Sequence, residues 1–365
     1  DDDDKKLFDK IYEEKTPDFK GNVNIAVIGT VSSGKSSLIN AILERGRENA
    51  VAEVGATSGV TTDVKPYKID DHVLIIDAPG LDDIKKQNSD ETVKLLQHID
   101  IGILVVTGSA DTAQKKHYDA LKEKAEHVFV VLNKSDAWEH LNDSALQGVV
   151  EQWKTALGAS KIYPTVTKGY DKEAKKDIPL DLRGVDELRD DILNFLKKNK
   201  KDILFAKNLG DKKKYASGII AAALTAVAVE AFVPGSAAYI TATQVIAITS
   251  LHYVYTGEML SKQSALTLLP RFAGQSLGST IFLWAKSILP PTGIVDFAAA
   301  GIAVSITFAM LASVNYLLSN NLDILNKGTE LMDKFNQYKA IDISGILKAL
   351  KENQSIRDIV SKMIS

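Results

Sequence analysis

Apolar residues follow three different rhythms along the chain. From Gly21 to about Lys200, short runs dense in Val and Ile alternate with polar stretches of helical period: VNIAVIG (23–29), VKPYKI (64–69), HVLIIDAP (72–79), IGILVVTG (101–108), HVFVVLNK (127–134) and KIYPTV (161–166). Such runs, lacking strict alternation, fit strands covered on both faces, and the interleaving predicts an α/β domain with a mostly parallel, six-stranded sheet. Between Ala216 and Leu322 only six of 107 residues are charged, and apolar stretches of helix length fall at roughly 217–233, 236–256, 272–289 and 293–318. Pro234-Gly235, Pro270 and Pro290-Pro291 punctuate them. This half is expected to be an all-α hydrophobic helical domain whose Gly, Ala, Ser and Thr residues let backbones approach closely. In the tail, Leu331, Phe335 and Tyr338 recur at helical spacing, as do Ile346, Leu350, Ile356, Ile359 and Met363 after Gly345, which predicts amphipathic packing helices over 323–365.

The 365 residues therefore divide into a helix over 6–20, an α/β domain over 21–200, a linker over 201–215, a helical domain over 216–322 and the amphipathic tail. Residues 1–5, DDDDK, read as the remnant of a protease-cleavable tag. Setting aside their four Asp and one Lys from 47 acidic and 44 basic residues leaves a formal charge of zero. A neutral chain carries no electrostatic footprint for bulk nucleic-acid binding, and no nucleic-acid partner is expected. With no cysteine, disulfides, thiolate nucleophiles and zinc-thiolate sites are excluded. Residues 6–20 lack the apolar core of a cleaved signal peptide, so a cytoplasmic location is the default. The segment from Lys197 to Lys214 carries eight Lys against two Asp, a positive patch beside the apolar half.

Candidate chemistry is concentrated at the ends of the predicted strands. Gly29-Thr30-Val31-Ser32-Ser33-Gly34-Lys35-Ser36 satisfies G-x-x-x-x-G-K-[ST] between a strand and a helix, the context this phosphate-cradling loop requires. Its backbone N–H groups, through Ser37, would surround phosphate oxygens at a helix N-terminus; Lys35 would reach the β- and γ-phosphates and Ser36 would ligate Mg²⁺. Asp77-Ala78-Pro79-Gly80 places a carboxylate where it can hold Mg²⁺ through water, and a Gly80 N–H where it can meet the γ-phosphate. Asn133-Lys134-Ser135-Asp136 follows another strand. The Asp136 carboxylate can accept from guanine N1–H and the exocyclic amino group, a pair adenine does not offer; Asn133 would tie this loop to the phosphate loop, and Lys134 would lie along base and ribose.

These three motifs, in this order, resemble the GTPase superfamily over about half the chain. The spacing and the string DAPGL look most like Era, EngA and TrmE GTPases and dynamin-like GTPases, and V-S-S-G-K-S-S is particularly close to the latter. The helical G-V-D-E-L at 184–188 is common in the Era-like group. The resemblance implies a switch threonine, Thr61 with Thr62 as alternate, contacting Mg²⁺ and the γ-phosphate, and a guanine-edge loop at Thr165-Val166-Thr167-Lys168, where Thr167 and Lys168 depart from the usual Ser-Ala-Lys. It also implies that Leu81 stands where many small GTPases carry a water-orienting glutamine. Hydrolysis would then need stabilisation from a potassium ion near Ser32 or from a second G domain in a homodimer.

The apolar half resembles a hydrophobic domain attached to some bacterial GTPases, through F-V-P-G-S-A-A-Y and T-Q-V, and the layout is similar to immunity-related GTPases. For a membrane span, the large apolar residues of 217–233 contribute roughly −2 to −4 kcal/mol and Glu230 costs about +2.5 to +3.5, whereas 297–318 carries no formal charge. Juxtamembrane lysines contribute about 1 kcal/mol each toward anionic lipid. The six histidines show no metal-ligand spacing, and Trp138, Trp153 and Trp284 read as packing residues. Taken together, the expectation is a Mg²⁺-dependent GTP-hydrolysing switch whose helical half binds a membrane at its cytosolic face or self-associates. The alternatives are a soluble ribosome- or tRNA-associated GTPase, or a GTP-binding module with negligible turnover.

Overall fold

The computed structural model describes residues 2–54, 64–86, 97–171, 174–175, 177–272 and 297–365. The chain forms two compact units, one of Asp18–Gly210 and one that joins Asp1–Pro17 to Asp211–Ser365.

The first unit is built on seven strands: β1 (Val23–Ile28), β2 (Lys65–Lys68), β3 (Val73–Ala78), β4 (Ile99–Val106), β5 (Ala125–Asn133), β6 (Tyr163–Lys168) and β7 (Asp181–Arg183), in the order β2-β3-β1-β4-β5-β6-β7. The inner strands are parallel, with Val23 opposite Val73, Ile25 opposite Ile101, Ile103 opposite Phe129 and Val131 opposite Tyr163. All eight residues of β4 are buried, as the unbroken Ile and Val run requires for a strand covered on both faces. The edge strands β2 and β7 pair antiparallel. The seventh strand corrects the expectation of six: β7 is three residues, Asp-Leu-Arg, too short and polar to leave a hydrophobic rhythm. Because the inner strands are parallel, the loops after β1, β3 and β5 emerge at one edge of the sheet and bring the three motifs together. One face of the sheet is covered by a core containing Leu104, Leu121, Leu132 and Trp153, whose indole N–H donates to the Gly108 carbonyl at 2.9 Å.

The second unit is helical: Asp2–Lys15, Lys213–Glu230, Ser236–Thr256, Lys262–Phe272, Phe297–Ser319, Gly328–Lys339, Ser344–Lys351 and Arg357–Ile364. The first helix takes in most of the DDDDK segment and ends before Thr16, and its Phe8 and Ile11 are buried in the helical core. Within the span expected as a linker, Asp202–Ala206 is a helical turn of the first unit whose five residues are all buried, and the second unit's next helix begins at Lys213. Ser236–Thr256 ends where Gly257 takes a left-handed φ of 75° and donates its N–H to the Tyr253 carbonyl at 2.8 Å, a conformation that costs a side-chain-bearing residue more. The tail follows its predicted spacing, with Leu331, Phe335, Ile346 and Ile356 buried. The apolar interior also holds satisfied polar pairs: Gln244 Nε2 donates to Thr307 Oγ1 at 2.9 Å and Tyr255 Oη to Asn315 Oδ1 at 2.9 Å. Glu230 accepts from Thr243 Oγ1 and, at 3.0 Å, from Lys15 Nζ. One helix among the described residues, Ala300–Ser319, is long and apolar enough to cross a membrane, and 72% of its most apolar 18-residue stretch is buried inside the protein. The apolar stretch 272–289, with Trp284, lies almost wholly outside the described residues.

Candidate nucleotide site

The phosphate loop folds from its glycines outward. A Cβ on Gly29 would lie 2.2 Å from the Val105 carbonyl oxygen, and one on Gly34 would lie 2.2 Å from Asn133 Nδ2, so neighbouring strands press against the loop at both ends. Gly34 also needs a φ of 90° to turn the chain into the helix Lys35–Ile42. Val31 and Ser32 form the exposed crest, Ser32 itself at a φ of 65°, while Ser33, Lys35, Ser36 and Ser37 are buried. Lys35 Nζ donates to the Thr30 carbonyl at 3.2 Å and lies 3.6 Å from Asp77 Oδ1, spanning the mouth of the loop. Ser36 Oγ donates to Asp77 Oδ2 at 2.7 Å, which unites two of the three expected metal ligands. Burial lowers the pKa of Lys35 and raises that of Asp77, and their mutual attraction opposes both shifts. Thr61 and Thr62 lie outside the described residues.

Asn133 holds the site together. Its side chain, 1% exposed at the end of β5, donates to the Ser33 carbonyl at 2.9 Å and accepts from Thr165 Oγ1 and Thr167 Oγ1, each at 3.1 Å. Phosphate loop, base-selecting loop and guanine-edge loop therefore share one buried amide. Lys134 turns the chain at a φ of 60° into the short turn Ser135–Trp138 that presents Asp136, and Lys168 forms an ion pair with Asp136. Gly80 abuts the His117 ring, which a Cβ would approach to 2.8 Å. Leu81, 4% exposed, is buried in the core that covers one face of the sheet.

The fit to a nucleotide and a divalent ion is visible in the polar atoms left over. Among the described residues, three buried side-chain oxygens without a hydrogen-bond partner line this one edge: Ser33 Oγ, Asp77 Oδ1 and Asp136 Oδ1. Buried polar groups are ordinarily satisfied, so their clustering marks a place built for a polar ligand. Ser36 and Asp77 are hard oxygen donors suited to Mg²⁺, and Asp136 offers a free acceptor to a base. Sequence reasoning missed three contributors. Tyr67, on β2, brings its hydroxyl beside Ser36 and Glu53, and its pKa is pushed up to about 12, chiefly by burial and then by Asp77. Thr165 falls in the guanine-edge loop by sequence, and its bond to Asn133 emerges only from the fold. Arg189, nearly buried in the helix Val185–Lys198, donates to the Ala41 and Ile42 carbonyls at 2.7 and 2.8 Å and so caps the far end of the phosphate-loop helix. Only alternation within KPYK hinted at the first, and nothing local marked the last.

Fold and site define a P-loop G domain followed by a helical region. Residues 24–134 match the family described as 50S ribosome-binding GTPase, and this domain is of the Era, EngA and TrmE type. GTPase Der of Nautilia profundicola is 27% identical over 152 residues, covering 39% of this chain and 31% of that protein. The tRNA modification GTPase MnmE of Aliarcobacter butzleri is 30% identical over 135 residues, covering 35% of this chain and 30% of that protein. The chain thus spans about a third of the length of these curated relatives. A crystal structure of Era with MgGDPNP and a segment of 16S ribosomal RNA aligns with 48% of this chain and 57% of its own, at 18% identity and a TM-score of 0.30.

Proposed function

We propose that the protein is a Mg²⁺-dependent, guanine-specific switch that hydrolyses GTP to GDP and phosphate. The observation that carries this reading is the set of buried, unpartnered polar atoms at one sheet edge, framed by the Asn133 bridge. In it, backbone N–H groups of Gly29–Ser37 and the Lys35 ammonium bind the phosphates, and Asp136 reads the guanine edge while Lys134 and Lys168 flank the base. Ser36, Asp77 and Thr61 hold the divalent ion, which when bound neutralises charge developing on the β- and γ-phosphate oxygens. Gly80 meets the γ-phosphate and transmits its presence to the helix Leu81–Lys86. Fluorescent-nucleotide titration should give tight GDP and GTP binding and weak ATP binding; equal affinity for ATP would remove the assignment.

Leu81 lies in the core, so water activation must come from elsewhere, either a potassium ion at the Ser32 crest or a second G domain. A potassium mechanism makes the rate rise when K⁺ replaces a non-coordinating cation, with Ser32→Ala blunting the response. A homodimer mechanism makes specific activity rise with protein concentration. A rate indifferent to both leaves a GTP-binding module with incidental turnover.

For the helical unit, the leading reading is nucleotide-controlled membrane association at a cytosolic face or self-assembly, supported by its apolar composition and by Val229 and Phe232, 65% and 47% exposed. The second is ribosome or tRNA association, supported by the description of the matching family and the printed name of the MnmE relative. Co-sedimentation with anionic liposomes, in GDP and in a non-hydrolysable GTP analogue, set against sedimentation with ribosomes, separates them.

A further inference from the structure

The six histidines show no ligand spacing along the chain, yet pairing of the strands gathers one of them with two carboxylates. His98 precedes β4 and Asp100 lies two residues on, so both project from the same face. Ile99 pairs with Ala125 and Ile101 with His127, which sets Glu126 of β5 beside Asp100. His98 Nε2 is 3.2 Å from Asp100 Oδ1 and 3.1 Å from Glu126 Oε1, and the three potential ligand atoms lie within 4.8 Å of one another. The other oxygen of each carboxylate is already held: Asp100 Oδ2 accepts the Asn24 backbone N–H at 2.8 Å, and Glu126 Oε2 accepts from Asn199 Nδ2 at 2.8 Å. Asp100 is fully buried, so its orientation is fixed.

From this juxtaposition we propose a binding site for a zinc-type divalent cation, formed by His98 Nε2, Asp100 Oδ1 and Glu126 Oε1. One imidazole and two carboxylates favour Zn²⁺ or Co²⁺ over Mg²⁺, and outer hydrogen bonds to the ligands are the arrangement such sites use. Three protein ligands leave a fourth tetrahedral position for water or for an exogenous donor. Access is from a cavity of about 580 Å³ that His98 and Lys201 line together with Asn24, Asp70 and His72. The site lies at the N-terminal ends of the strands, whereas the phosphate loop lies at their C-terminal ends. A six-residue strand puts about 20 Å between the two. The site is therefore separate from the proposed Mg²⁺ site and does not depend on it.

Lys201 is the competitor. Its Nζ lies 2.6 Å from Asp100 Oδ1, on the oxygen a metal would take, and its partly exposed side chain can swing into the cavity. This contact separates a metal site from an ion-pair network, because the two make opposite predictions for Lys201→Met. In a metal site, removing the resident ammonium frees the ligand and tightens Zn²⁺ binding, by about tenfold for the loss of one contact cation. In a purely structural network it confers no metal binding.

The test is calorimetric titration of the full chain, saturated with MgGDP, with Zn²⁺ alone, alongside Co²⁺ titration read by visible d–d absorption. The expected result is one equivalent bound. His98→Ala and Glu126→Gln, both at partly exposed side chains, should each weaken binding by at least tenfold and abolish the Co²⁺ spectrum. His72→Ala, in the same cavity, should leave both unchanged, and circular dichroism checks that each variant is folded. Absence of binding, or binding insensitive to His98 and Glu126, or a Lys201→Met variant that binds no more tightly than the parent, would overturn the proposal. Loss of guanine specificity elsewhere would leave it standing.

Discussion

Replacing Asn133 with Ala tests whether one buried amide couples the three nucleotide loops. The side chain contributes a donor to the Ser33 carbonyl and an acceptor to the Thr165 and Thr167 hydroxyls, at 2.9, 3.1 and 3.1 Å. Alanine leaves one buried carbonyl and two hydroxyls without partners, Thr165 being fully buried. A buried polar group deprived of its partner costs about 1–3 kcal/mol. The hydroxyls can rotate toward other acceptors and the carbonyl cannot, so the expected loss is about 2–5 kcal/mol. The chain has two units and need not unfold in one step, so the loss is best read by native-state amide exchange of β1, β5 and β6 in nucleotide-free protein. GDP affinity should fall in parallel, because the Ser33 segment would no longer be held in its binding shape. A change below about 0.5 kcal/mol with unaltered GDP affinity would refute the coupling. Thr165→Val removes a single bond and should cost about 0.5–1.5 kcal/mol.

Arg189→Ala removes the cap on the phosphate-loop helix and the ion pairs to Glu44 and Asp186, and should destabilise the G domain by about 2–4 kcal/mol in amide exchange. Arg189→Lys should recover less than half, since an ammonium cannot meet both carbonyls in the same plane. Asp136→Asn should shift preference from guanine toward xanthine nucleotides, whose 2-oxo group can pair with the amide; retained GTP selectivity in competition binding would count against the assignment. Burial works to raise the Asp70 carboxyl, but bonds from Asn208, Lys207 and the His72 N–H outweigh it and hold it below its ordinary value. Asp70 therefore stabilises the fold at pH above the unfolded value of 3.8, and that stability is lost as pH falls through the lower folded value. Asp70→Asn should be less stable at neutral pH and flatter on the acid limb of a pH titration of stability.

Elements whose signal is local were legible in the sequence. The strands β1, β3, β4 and the second half of β5 announced themselves because burial on both faces demands an apolar run, and the phosphate, Asp77 and Asn133 loops because each is a contiguous string at a strand end. What escaped is what only pairing creates. Arg189 reaches the Ala41 and Ile42 carbonyls across nearly 150 residues, Tyr67 joins Ser36 through an edge strand, and Glu126 meets His98 and Asp100 only once β5 lies beside β4. The strand β7 escaped for a different reason: an exposed edge of three residues has no apolar pattern to impose.

The helical unit shows how a sequence-level cost changes meaning once the partners are known. Counted alone, Glu230 nearly cancels the apolar gain of its helix in a bilayer. In the folded unit the same carboxylate is satisfied by Thr243 and by Lys15, which arrives from a helix more than 200 residues earlier. Gln244 with Thr307 and Tyr255 with Asn315 likewise tie the helix Ser236–Thr256 to Phe297–Ser319. Each pair satisfies groups that would be costly to bury alone, so helix packing that separated them would lose several kcal/mol. Apolar helices joined in this way gain from staying together, and drawing one out into lipid would strand its polar partner. A bilayer could meet this unit without dismantling it at the turn after Glu230, where Val229, Phe232 and Val233 are exposed. Shallow insertion of that turn would bury apolar side chains already facing solvent and leave the buried pairs intact.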